Sequence, residues 1–175
     1  MRVLERTGLV AAVSRRLADA TRVVVCGVGN ELRGDDGVGL YVAQRLLALE
    51  MPSFVAVIPC GEVPENYLSE VVSHDPSHVI LVDAAQAGLN PGTLVQAEED
   101  DIWGHAVSTH RLPLSLFCRI VSRQKGARVD TFLLGVQIQS CGFGEPLSPM
   151  VREGADSLVA GLAQAFRRLE GGRRS

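Results

Sequence analysis

Four short apolar runs rich in β-branched residues constrain this fold more than anything else in the chain: "RVVVCGV" (22–28), "FVAVIP" (54–59), "HVILVD" (78–83) and "DTFLLGV" (130–136). Each is nearly continuous rather than alternating, as expected of strands covered on both faces in a parallel sheet. Helical periodicities lie between them. After the first run, Val38, Val42, Leu46 and Leu49 recur at helical spacing. "PENYLSEVV" (64–72) follows the second, with Pro64 suited to a first helical turn. "PLSLFCRIVSRQKG" (113–126) sets Leu116, Phe117, Ile120 and Val121 on one face and ends at a capping glycine. A last helix opens with Ser148 and Pro149 as N-cap and first helical residue, and Val151, Ala155, Leu158, Leu162, Ala165 and Leu169 form its stripe. A short extra strand near "GTLVQA" follows the turn signal "GLNPG" (88–92). This order predicts a three-layer α/β/α sandwich: a mostly parallel twisted sheet of about five strands, with helices on both faces.

The length of 175 residues, 46% of them hydrophobic, fits one domain over 1–175 with an ample core. Residues 1–20, "MRVLERTGLVAAVSRRLADA", mix Arg and Glu into apolar positions, which predicts an amphipathic helical extension and no signal-peptide core. The expected location is the cytoplasm. A formal charge of −3, with no sustained basic block, gives no footprint for nucleic acid. No apolar run approaches the ~18 residues of a membrane span, so membrane insertion is not expected. None of the four cysteines forms a CxxC pair, which argues against a zinc knuckle or a thioredoxin-type site. Cys26 and Cys118 lie in apolar runs and read as small core residues; Cys60 and Cys141 sit beside glycines and read as loop thiols.

"GVGNELRGDDGVG" (27–39) joins the first strand to its helix. A dinucleotide fingerprint places a third glycine where Leu32 stands, and a phosphate beside Asp35 and Asp36 would be repelled. A nucleophile elbow, HExxH and a P-loop are all missing from the sequence. In an open parallel sheet, however, ligands bind outside the carboxyl ends of the strands. Asp35 and Asp36 follow strand one, Glu62 follows strand two, Asp83 ends strand three, and His110 precedes the helix leading to the last long strand. The topology therefore gathers them on one edge. Each has a plainer reading: a helix cap, an Asx-turn or a surface histidine. Adjacent side chains at a helix start point different ways, so Asp35 reads as the cap of the following helix and Asp36 as the residue delivered to the edge. Two carboxylates and an imidazole suit a transition metal with open positions. His74 and His78 have ligand-like spacing, but Pro76 breaks any helix between them and the pair reads as a solvated loop. His105 is a weaker candidate than His110.

"GVGNELRGDDGVG", "PCGEVPEN", "VDAAQAGLNPG", "STHRLPL" and "LLGVQIQSCGFGEPLSP", in that order, resemble the motifs of the hydrogenase maturation endopeptidases, which trim the C-terminus of [NiFe] hydrogenase large subunits. "PEN", "GLNPG", "THxxPL" and "LGVQ" bring the chain closest to the branch serving formate-hydrogenlyase-type hydrogenase (hydrogenase 3). The resemblance implies a three-layer α/β fold and an endopeptidase whose partner is the large-subunit precursor. It also implies that Asp36, Asp83 and His110 are metal-contacting and catalytic positions, meeting nickel already held by the substrate. Many relatives begin almost at strand one, so the N-terminal extension departs from the family pattern.

These expectations leave the attacking water open. The metal can polarise the carbonyl or the water, or a carboxylate such as Asp35 or Glu62 can act as general base. A nickel-binding accessory protein without proteolysis would keep the same ligands.

Overall fold

The four apolar runs form the parallel heart of a six-stranded sheet. The computed structural model describes residues 1–98 and 114–173. Its elements are β1 (Arg2–Leu4), α1 (Leu9–Arg16), β2 (Val23–Val28), α2 (Val38–Leu47), β3 (Val55–Gly61), α3 (Leu68–Ser73), β4 (His78–Ala85), β5 (Leu94–Glu98), α4 (Leu114–Lys125), β6 (Asp130–Gln137) and α5 (Pro149–Arg173). Strand order is β1-β5-β6-β4-β2-β3. β3, β2, β4 and β6 run parallel, while β5 is antiparallel to β6 and β1 to β5.

Alternation along each strand assigns the two faces. Val23 and Val25, Ile80 and Val82, Phe132 and Leu134 pack with α1, α2 and α5 through Leu9, Val42, Leu158 and Phe166. Val24 and Cys26, Val79 and Leu81, and Leu133 pack with α3 and α4 through Val71, Phe117 and Val121. The result is the three-layer sandwich read from the sequence. Each fully buried Val, Leu or Phe contributes roughly 1.5–3 kcal/mol by leaving water, so the sheet interior dominates stability.

Several local expectations need correction. The sheet has six strands rather than about five, because the first twenty residues supply β1 before α1. Leu9, Val13 and Leu17 then bury against the α5 side. "PENYLSEVV" starts as a 3-10 turn, Pro64–Tyr67, before α3. Leu116 and Leu49 point to solvent, the latter because α2 ends at Leu47. Cys60 is a buried residue of β3, not a loop thiol. His78 is no solvated loop residue: it opens β4 and is 4% exposed.

The amino edge of the sheet carries a tight charged group. The Arg16 guanidinium grips the Asp130 carboxylate with both terminal nitrogens and reaches Glu98 at 3.0 Å. His78 Nε2 lies 3.5 Å from Asp19 and 3.6 Å from Asp130. Burial lowers the His78 pKa, while the two carboxylates pull it back up in part. A cavity of about 540 Å³ opens here, lined by Arg2, Arg15, Arg16, Asp19, Glu98 and Asp130. Among the described residues, no helix is long and apolar enough to cross a membrane.

Candidate active site

The carboxylates expected from the sequence to form a site sit at the opposite, carboxyl edge, and the strand connections explain why. β2 leads through α2 to β3 on one side and pairs with β4 on the other. The two connections leave in opposite directions, so a crevice opens where β2 and β4 part. Pairing between them ends at Gly27 with Val82. Asp83 is the next residue of β4, fully buried, with Oδ1 accepting a hydrogen bond from the Ala84 amide at 2.7 Å. Its neighbour on the far side is Gly135 of β6.

Asp36 comes to the same edge on a 3-10 turn, Gly34–Gly37, that packs against β4. Two glycines make that approach possible. Gly29 has φ +144°, and any Cβ there would collide with the Asp36 carbonyl oxygen. Gly39, in the first turn of α2, lies against the carbonyls of Val28 and Val82, where a side chain has no room. The start of α2 is thereby pressed into the gap between β2 and β4. Asn30 closes the preceding bend locally, its Oδ1 accepting from the Leu32 amide at 2.8 Å.

Asp35 is structural, but not as the cap of its own helix. Its buried carboxylate accepts from the Gln139 amide (2.8 Å), the Ser140 amide (2.9 Å), the Ser148 amide (2.6 Å) and the Ser148 hydroxyl (2.9 Å). Its own amide donates to the Ser140 carbonyl at 2.9 Å. One side chain thus ties the β2–α2 turn to the loop after β6 and to the start of α5. Ser148, expected as a helix cap, instead donates its hydroxyl to this carboxylate. So engaged, Asp35 is a poor choice for activating water. Cys141 in the same loop lies against Asp35 and Asp36; burial, then the two negative charges, push its thiol pKa up.

Asp36 and Asp83 therefore arrive on one edge as the sequence anticipates. His110 and His105 lie outside the described residues, so their placement is not part of this geometry. Among the described residues, no three His, Cys, Asp or Glu side chains gather as a metal cluster. Glu62 follows β3 on this edge and is exposed. One residue escaped the sequence reading: Glu65, in the 3-10 turn after β3, has a buried Oε2 with no hydrogen-bond partner among the described residues. The available signals were its place after a parallel strand and its position inside the "PEN" motif. The 540 Å³ cavity is at the other end, where Arg16 is paired with Glu98 and Asp130. The carboxyl edge is therefore the candidate site, because connection topology brings Asp36 and Asp83 there from separate elements.

Comparison with known proteins decides the family. A family model described as hydrogenase maturation protease (HycI) matches residues 40–165. The hydrogenase 3 maturation protease of Escherichia coli K12 is 31% identical over 152 residues, covering 86% of this chain and 90% of that protein. The chain belongs to the hydrogenase maturation protease family. Members of known structure share its fold. The crystal structure of the [NiFe] hydrogenase maturation protease HycI from Thermococcus kodakarensis superposes with a TM-score of 0.81 at 35% identity, covering 89% of this chain and 99% of that one. The solution structure of the endopeptidase HycI from Escherichia coli gives 0.69 at 29% identity, covering 86% and 90%. This maturation protease is thus an endopeptidase, a peptide-bond hydrolase, and the proteolytic reading prevails over the accessory-protein one. The matched segment contains Asp83 and His110, while the turn bearing Asp36 precedes it.

Proposed function

We propose that this protease removes a C-terminal extension from the precursor of a [NiFe] hydrogenase large subunit, of the hydrogenase 3 type, once nickel is in place. The carrying observation is the pair of buried carboxylates, Asp36 and Asp83, delivered by separate elements to the crevice between β2 and β4. Nickel is part of the substrate here, held chiefly by the substrate's own ligands. Asp36 and Asp83 contact it as hard anionic donors, and His110 adds an imidazole. Docking on the metal sets the scissile bond beside the carboxylates, and this registration supplies rate by proximity. Asp35 keeps the turn in place. The chain works in the cytoplasm, where its precursor would be assembled, and needs neither nucleic acid nor membrane.

Purified protease mixed with nickel-loaded and nickel-free precursor tests this, with trimming read by intact-mass spectrometry. The loaded precursor alone should lose its extension. Equal trimming of both forms would remove nickel recognition from the mechanism. Nickel binding without any trimming would restore the accessory-protein reading. Rapid digestion of casein would show that the substrate supplies no part of the site.

A further inference from the structure

Phe143 is 82% exposed and Leu32 56% exposed, on two loops that flank the Asp36 turn. Single exposed apolar residues are ordinary. What distinguishes these two is how firmly they are presented and where. The Gly144 amide donates to the Leu32 carbonyl at 2.8 Å, joining the two loops directly. The Ser140 hydroxyl donates to Glu145 Oε2 at 2.6 Å, and the Glu145 amide to the Gly142 carbonyl at 3.3 Å. The Glu145 side chain folds over Gly142, where a Cβ would collide with it. Below them, the Asp35 carboxylate binds Gln139, Ser140 and Ser148. Cys141, two residues before Phe143, lies against Asp36. The exposure of Phe143 is therefore fixed, not a product of slack chain.

We propose that Phe143 and Leu32 form an apolar lip on which the protein substrate seats a hydrophobic patch next to its scissile segment. This rests on the processing function proposed above. Residues 30–33 and 142–145 border the Asp36 turn directly, with Gly34 against Ser140, Gly142 and Glu145, so a polypeptide held at Asp36 has this pair of loops beside it. A partner patch that covers Phe143 recovers the burial the fold forgoes, and a loop backbone already held in place leaves only the side chain to be ordered on docking. The lip thus confers preference for a folded, apolar-flanked substrate.

The test uses the full chain as wild type, Phe143→Ala, Phe143→Leu, Leu32→Ser and the Phe143→Ala/Leu32→Ser double variant, with nickel-loaded precursor. Cleavage kinetics, precursor binding by calorimetry, thermal unfolding and gel filtration are measured. Phe143→Ala should raise KM and the precursor Kd about tenfold, as for a truncated aromatic anchor. The double variant should go further, Phe143→Leu should recover most of the loss, and kcat should stay within about twofold. Thermal midpoints should not move. Unchanged KM and affinity would overturn the lip, as would a fall in kcat alone. A wild-type dimer abolished by Phe143→Ala would also overturn it, assigning the patch to a second copy. Lip-dependent binding of precursor without cleavage would sink the processing function and leave the lip standing.

Discussion

Both ends of this sheet hold an aspartate among close partners, half-buried Asp130 at one and buried Asp35 at the other, yet the partners differ in kind. At the amino edge Asp130 is gripped by the Arg16 guanidinium, with Glu98 and His78 nearby. At the carboxyl edge Asp35 is held by amides and a hydroxyl. An arginine cancels the charge it binds, while neutral donors fix a carboxylate in space and leave its charge in place. The amino edge is thus a charge-balanced fastening. The carboxyl edge holds the Asp36 turn rigidly and keeps negative potential beside it, a useful property where a cationic centre is to dock. The two ends should therefore respond oppositely to mutation: one in stability alone, the other in activity as well.

The sharpest break of that contrast comes at Asp36 and Asp83. Replacing either with Ala should lower processing of nickel-loaded precursor by ~10²-fold or more, because registration of the scissile bond is lost. Thermal unfolding should show a cooperative, folded protein that loses less stability than Asp35→Ala, whose carboxylate accepts four hydrogen bonds. Normal processing by either variant would remove that residue from the site.

Asp35→Ala comes next and separates holding from contacting. Four hydrogen bonds to one buried carboxylate vanish, so stability should fall by roughly 2–4 kcal/mol, with activity reduced but present in the folded fraction. Denaturant unfolding and single-turnover cleavage check this. A stable, inactive Asp35→Ala would reverse the roles of the two neighbouring aspartates.

Arg16→Ala probes the amino edge. Arg16 and Asp130 side chains are 26% and 33% exposed, so solvent screening limits the loss to about 1 kcal/mol. The loss should shrink in high salt, and cleavage rates should not change. A change in cleavage would show that the edges are coupled.

The smallest effect belongs to His78. Burial holds its folded pKa below the usual 6.5, so the unfolded chain binds more protons between those two values. The associated stability is present above the unfolded pKa of about 6.5. It is lost as pH falls from there through the folded value. Thermal midpoints of wild type should decline from pH 7 to pH 5 more steeply than those of His78→Gln. Parallel curves would mean that His78 titrates alike in both states.

How much of this was legible in the sequence depended on range. The parallel core was readable because each strand announces itself locally by a run such as "HVILVD", and the rule for parallel sheets then places Asp36 and Asp83 on one edge without any coordinates. β1 was not readable: three residues carry no periodicity, and they become a strand only because β5 offers an unpaired edge. The function of Asp35 was half readable. Its structural character follows from the geometry of adjacent residues, but its partners are more than a hundred positions away, and no local pattern names Ser148. His78 was misread for a related reason, since what buries it arrives from α1 and β6. The placement of His110 lies outside the described residues and stays a proposal carried by the motif "STHRLPL".

The long reach of Asp35 also sets a schedule. The residues it binds at the start of α5 follow it by 113 positions. At ~5–20 residues per second of synthesis, roughly 6–23 s pass between translation of the turn and translation of the residue that pins it. Through that interval the nascent chain carries Asp36 on an unfastened loop. The Asp36 turn thus gains its fastening only once the start of α5 has been made, late in synthesis.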